Sequence, residues 1–150
     1  MKEKSKPTVI LMAEDDADDR LLVKDALAEC ASEADLRFVE NGEELLDYLA
    51  RCGKFATADG APRPRLIILD LNMPRKDGRE ALREIKSNVA LRSIPVVVLT
   101  TSGAETDIDS IYQLGANSFI CKPVQFEQLV NLMRLLGQYW FKTVQLPESS

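Results

Sequence analysis

Carboxylates stand in this chain where apolar runs stop. Glu14-Asp15-Asp16 follows the run Val9 to Ala13, and Asp70 follows Leu66 to Leu69. If both runs are central strands, these acids converge at one edge of a sheet. Several carboxylates packed together repel one another, and the usual relief is a bound divalent cation with oxygen ligands. Magnesium suits such a set, since it takes few carboxylates, keeps some waters, and can draw further ligands from phosphate oxygens and a backbone carbonyl. A competing use of acids here is the start of a helix, where they suit the positive end of the dipole. That reading fits Asp18 and Asp19, whereas Glu14 and Asp15, still at the strand end, read as ligands. Asp70 taken alone could equally cap the turn into the next helix.

Two further chemical groups end later apolar runs. Thr100 follows Val96 to Leu99, and Lys122 follows Phe119-Ile-Cys121. Each by itself reads as a strand-end hydroxyl or a solvated lysine; together they follow consecutive strands to the edge where Asp70 should lie. The chain has no histidine, which removes histidine triads, histidine-ligated zinc and a phosphohistidine donor within the chain. Carboxylates, hydroxyls and lysine are left to carry the chemistry.

The elements that must position these groups are legible as an alternation. The short, nearly continuous apolar runs, with a weaker one at Leu36-Arg-Phe-Val39, have the character of parallel strands covered on both faces. Between them lie helical spacings: Leu22, Ala26, Leu27, Cys30; Leu45, Leu46, Leu49; Ala81, Leu82, Ile85; and Leu129, Leu132, Met133, Leu136, Trp140. Five such alternations imply crossover connections and a doubly wound α/β sheet, which binds ligands beyond the carboxyl ends of its strands. Residues 53–65, GKFATADGAPRPR, read as an extended surface loop.

The 150 residues, 45% hydrophobic, suffice for one well-cored domain and are few for two. The expected organisation is an N-terminal arm over 1–7 and a single domain over 8–150, including a C-terminal extension over 138–150. A net charge of -5 without a basic stripe argues against a nucleic-acid surface. Cys30, Cys52 and Cys121 show neither metal spacing nor a CxxC pair; two of them, Cys30 and Cys121, fall within apolar patterns that suggest burial, and reduced thiols are expected. No segment approaches the roughly 20 apolar residues of a membrane span, and the apolar run near the start is too short for a signal-peptide core. A soluble, cytoplasmic protein is expected.

The runs LIILDLNMPRKDG, IPVVVLTTS and GANSFICKP, with the acidic pair after the first strand, resemble the receiver domains of bacterial response regulators from about Val9 to Arg134. The resemblance implies a flavodoxin-like five-stranded parallel sheet in the order 2-1-3-4-5, with five helices and here an extended last helix and tail. It also implies that Asp70 is the phosphoacceptor, that Glu14 and Asp15 help bind Mg2+ with Asp70 and the backbone carbonyl of Asn72, and that Thr100 and Lys122 meet the phosphoryl group. Met73, Pro74 and Gly78 would shape the loop after the acceptor, and Lys122-Pro123 would be a cis bond. These roles are chemically coherent: a carboxylate can act as a nucleophile towards a phosphoryl group, and the charge on three transferring oxygens calls for cations around it. Phe119 departs from the pattern, standing where the family often has the tyrosine of its switch, so coupling through it would be steric.

Phosphorylation would then shift the face built from the fourth helix, fifth strand and fifth helix between two conformations. Sixteen residues follow Arg134, so the chain is expected to act alone, by protein contact and not as a turnover enzyme. The long last helix ending QYWFKTVQLP and the loop before the third strand resemble the single-domain regulators paired with bacterial phytochromes and related sensor histidine kinases. Tyr139, Trp140 and Phe141 are consecutive and cannot all face one way, so at least one should point outwards or into a partner. A homodimer through the last helix and tail is expected. An aspartyl-nucleophile phosphohydrolase is disfavoured because Asn72 stands where a second acid should protonate the leaving group. A nucleotide-binding fold is disfavoured because no glycine-rich phosphate loop follows the first strand.

Overall fold

The structure, a computed structural model, describes residues 9–30, 34–56, 61–71, 78–100, 105–123 and 125–143; for 30, 100, 105–107 and 141–143 the description is of the backbone. The N-terminal arm, Asn72, Met73 and Pro74 lie outside the described residues, as does the tail beyond Thr143.

Five parallel strands form one sheet: β1 (Val9–Ala13), β2 (Asp35–Val39), β3 (Leu66–Leu69), β4 (Val96–Thr100) and β5 (Ser118–Cys121), in the order β2-β1-β3-β4-β5. The helices between and after them are α1 (Ala17–Cys30), α2 (Gly42–Ala50), α3 (Gly78–Ser87), α4 (Glu105–Gln113) and α5 (Phe126–Gly137). The chain passes from β1 to β2 on one side of the sheet and then to β3 on the other. The carboxyl ends of β1 and β3 therefore flank the point where strand order reverses, the place where open α/β sheets take their ligands.

Burial explains why these runs are strands. β1 and β3 are buried at every residue, and successive side chains point to opposite faces, so each strand feeds two cores. Leu11, Ala13, Ile67, Leu69, Val96 and Val98 pack with Leu45, Leu82, Ile85 and Ile111 from α2, α3 and α4. Ile10, Met12, Leu66, Ile68, Val97 and Leu99 pack with Val23 and Leu27 of α1 and Leu129 and Met133 of α5. Each fully buried Leu or Ile contributes about 1.5–3 kcal/mol. The edge strands β2 and β5 are only partly buried, which is why β2 is the weakest apolar run.

Two expectations change. The buried stripe of α1 is Val23, Ala26 and Leu27, while Leu22 is exposed, because the i, i+3, i+4 face starts one residue later. Cys121 is exposed, as is Cys52, since Cys121 ends an edge strand. The segment expected as a loop opens with a short 3-10 helix over Gly53–Phe55 and returns to the core at Ala61. It is tied there by the Tyr48 hydroxyl, which donates to the Pro62 carbonyl at 2.8 Å, and by Arg51 Nε, which donates to Ala61 at 3.1 Å. The apolar stripe of α5 is as expected, and the helix continues as a π-helical segment over Gln138–Thr143 that buries Trp140 and leaves Tyr139 exposed.

Candidate functional site

Backbone pairing carries the acids to one edge. Asp70 N donates to Ala13 O at 3.1 Å, and Glu14 N donates to Val39 O at 2.9 Å, so the first residues past β3 and β1 continue the ladder. Glu14 is 1% exposed and Asp70 6%, the two buried acids among the described residues, while Asp15 is exposed. One carboxylate oxygen from each of Glu14, Asp15 and Asp70 lies within 4.8 Å of the others. A cation with oxygen bonds of roughly 2.0–2.6 Å can touch all three after at most a small contraction. An all-oxygen, all-carboxylate donor set is the chemistry of a hard divalent ion, and the residues fit such an ion on that ground.

The neighbouring backbone is fixed by close approach and by capping. Gly78, at the start of α3, packs so tightly beneath the acceptor that a Cβ there would lie 2.7 Å from Asp70 O and 2.8 Å from Leu71 Cα; its N–H donates to Leu71 O at 3.2 Å. Only glycine accommodates that contact. On the other side Asp16 caps α1, its Oδ1 accepting from Asp18 N at 2.8 Å and Asp19 N at 3.3 Å. Arg20 Nη1 donates to the Glu14 carbonyl at 2.8 Å.

Lys122, the first residue past β5, reaches into this group. Its Nζ donates to Glu14 Oε1 at 2.5 Å and to Asp19 Oδ2 at 2.7 Å, and stands 3.5 Å from Asp70 Oδ2; its side chain is 12% exposed. Burial pushes the Glu14 carboxyl up, and Asp70 beside it adds to the rise while Lys122 opposes it, leaving a pKa of about 7. Burial alone would lower Lys122, but its bonds to Asp19 and Glu14 prevail and hold the ammonium above its ordinary range. The ammonium thus stays charged, and the Glu14 carboxyl takes up a proton as pH falls through about 7.

Glu14, Asp15, Asp70 and Lys122 are therefore together, as their positions in the sequence imply. Thr100 ends β4, paired in register with Cys121, which places its backbone at the same edge; its side chain and Asn72 lie outside what is described. Phe119 is half-buried against the core on the α4 side, and its N–H donates to the Tyr112 hydroxyl at 3.1 Å. Asp19 lies in the first turn of α1, as expected of a helix-start acid, and it also grips Lys122. A contact between residues 103 positions apart leaves no local signal in a sequence. The expected cis bond is not found: no described peptide bond is cis, so Lys122-Pro123 is trans. Trans is the favoured form of X-Pro by about 0.5–1 kcal/mol, and Lys122 reaches its partners in it.

A family model for the response regulator receiver domain matches residues 10–134. The chain is 39% identical over 145 residues to the response regulator Rcp1 of Synechocystis sp., covering 97% of each. Its structure is similar to that of the phosphorylated cyanobacterial phytochrome response regulator RcpA, at 41% identity and a TM-score of 0.88 over 95% of this chain and 99% of that one. It is also similar to the Mn(2+)-bound form of Rcp1, at 39% identity and a TM-score of 0.86 over 95% and 100%.

Proposed function

The chain belongs to the response regulator receiver domain family, and on that footing we propose that it takes a phosphoryl group from the phosphohistidine of a sensor kinase onto Asp70 in a Mg2+-dependent step. The observation that carries this is the buried Asp70 carboxylate at the switch point of the sheet, with Lys122 Nζ 3.5 Å away and carboxylate oxygens of Glu14 and Asp15 within 4.8 Å. Receiver domains are signalling proteins that act with histidine kinases and not typical turnover enzymes.

An Asp70 oxygen attacks phosphorus, the oxygen–phosphorus bond forms as the bond to the imidazole nitrogen breaks, and the imidazole leaves with the donor. Glu14, Asp15, Asp70 and the Asn72 carbonyl would hold Mg2+, which when bound would supply positive charge to offset the repulsion between an ionised acceptor and an anionic donor. Lys122 meets one of the transferred oxygens, and the Thr100 hydroxyl another. Gly78 keeps the backbone beneath the acceptor in place, with Pro74 and Pro123 shaping the loops beside it. The Mn(2+)-bound form of Rcp1 supports the divalent ion as a class; Mg2+ is our choice on ligand chemistry.

The signal leaves by contact with other proteins. Movement of Thr100 towards the phosphoryl group makes room for Phe119 to pack inward, a steric coupling that carries the change to the α4-β5-α5 face. The partner kinase is of phytochrome type, a reading supported by RcpA, a cyanobacterial phytochrome response regulator. The exposed Leu135 and Tyr139 on the last helix and its extension suit a homodimer contact; sedimentation that gives a monomer with and without a phosphoryl analogue would remove that part.

The function is tested by incubating the chain with Mg2+ and acetyl phosphate and recording intact mass. The native chain should gain one phosphoryl group only with Mg2+, and Asp70→Asn should gain none. Equal labelling of both proteins would overturn the assignment.

A further inference from the structure

The tie between Asp19 and Lys122 has no part in the chemistry assigned above, yet it holds the cation that chemistry requires. A lysine ammonium has three N–H donors. Here Glu14 and Asp19 take two of them at 2.5 and 2.7 Å, while Asp70 Oδ2 lies at 3.5 Å, beyond the 2.7–3.2 Å of a good bond. The ammonium is therefore drawn towards α1 and away from the acceptor. To bond a phosphoryl oxygen on Asp70 it must move or be shared.

The two acids that hold it differ in how easily they let go. Glu14 is 1% exposed, so water cannot replace the ammonium, and a metal ion bound beside it would neutralise it instead. Asp19 has a side chain 34% exposed and can be rehydrated as the ammonium leaves. Its place is set by the Asp16 cap, which takes the Asp19 N–H itself. Competition for Lys122 is thus between Asp19 and the phosphoryl group.

We propose that Asp19 is a positioning residue that parks the Lys122 ammonium on the α1 side of the acceptor and competes with the phosphoryl group for it, so setting how readily the phosphorylated state forms. This rests on the assignment of Asp70 as phosphoacceptor. Removing the competing charge should favour the phosphorylated state by about two- to fivefold, the scale of one partly exposed ion pair.

The test titrates the full chain, saturated with Mg2+, with beryllofluoride as a phosphoryl analogue, followed by fluorine NMR and accompanied by melting curves. Asp19→Asn should bind about two- to fivefold tighter than native, and Asp19→Glu, which restores the charge, should return towards native. Asp18→Asn removes the same charge one residue away on an exposed side chain and should bind as native does. Asp19→Asn binding equally or more weakly, or Asp18→Asn matching its gain, would overturn the proposal while leaving the phosphoacceptor intact. A native chain that takes neither beryllofluoride nor a phosphoryl group would overturn the function and the proposal with it.

Discussion

Glu14 should make the metal-free protein less stable as pH rises across neutrality, and Glu14→Gln should abolish that loss. The ordinary value for a glutamate is 4.5, whereas burial raises this one to about 7. Between those values the folded state keeps a proton that the unfolded state has released. The stabilisation linked to that proton is complete below the unfolded value and is lost as pH rises through about 7. From about pH 6 to about pH 8.5 the folded protein gives up most of this proton, and at ~1.4 kcal/mol per pKa unit the loss comes to about 1–2 kcal/mol. No histidine titrates in that window, since the chain has none, and Lys122, shifted upwards, titrates above it. Urea unfolding in EDTA across that range should show the decline in the native chain and a nearly flat profile in Glu14→Gln. With Mg2+ the proton and the metal compete for one carboxylate, so affinity should rise about tenfold per pH unit below about pH 7 and level off above it. Parallel profiles for the native chain and the variant would show that Glu14 is not the group that couples stability to pH.

Other substitutions test the frame around the site. Gly78→Ala places a Cβ 2.7 Å from Asp70 O and 2.8 Å from Leu71 Cα; because both are backbone atoms, it should cost about 1–3 kcal/mol, read by thermal melting, and should weaken Mg2+ binding by displacing Asp70. Lys86 Nζ donates to the carbonyls of Arg92 and Ile94 at 3.0 and 2.9 Å, so Lys86→Met should lose about 1–3 kcal/mol in urea unfolding without altering labelling of Asp70. Asn41 Oδ1 caps α2 by accepting from Glu44 N at 2.8 Å, and Asn41→Ala should cost about 1 kcal/mol by the same assay.

The central strands are legible in the sequence because burial on both faces leaves an uninterrupted apolar run, and the strand-end acids are legible because they stand just past such a run's last residue. β2 is faint for the converse reason: as an edge strand it is only partly buried and carries Arg37, paired with Asp35 at 3.2 Å, in its middle. The face of α1 is off by one residue because Leu21, Leu22 and Val23 are adjacent apolar residues and only the sheet decides which of them is covered. Cys121 looks buried within Phe-Ile-Cys, yet it ends the outermost strand. Asp19 is hidden altogether, since its second role depends on Lys122 arriving from β5 across the top of the sheet. Motif order could bring Asp70, Glu14, Asp15 and Lys122 to one edge; it could not show which acid holds the lysine.

The most direct test of the phosphoacceptor is to locate the acyl phosphate chemically. After labelling with Mg2+ and acetyl phosphate, borohydride reduction converts an aspartyl phosphate to homoserine, and peptide mass spectrometry then reads its position. Homoserine is expected at residue 70, dependent on both Mg2+ and the phosphodonor. Reduction at Glu14, Asp15 or Asp19, or a phosphate that survives as an ester on Thr100, would contradict it.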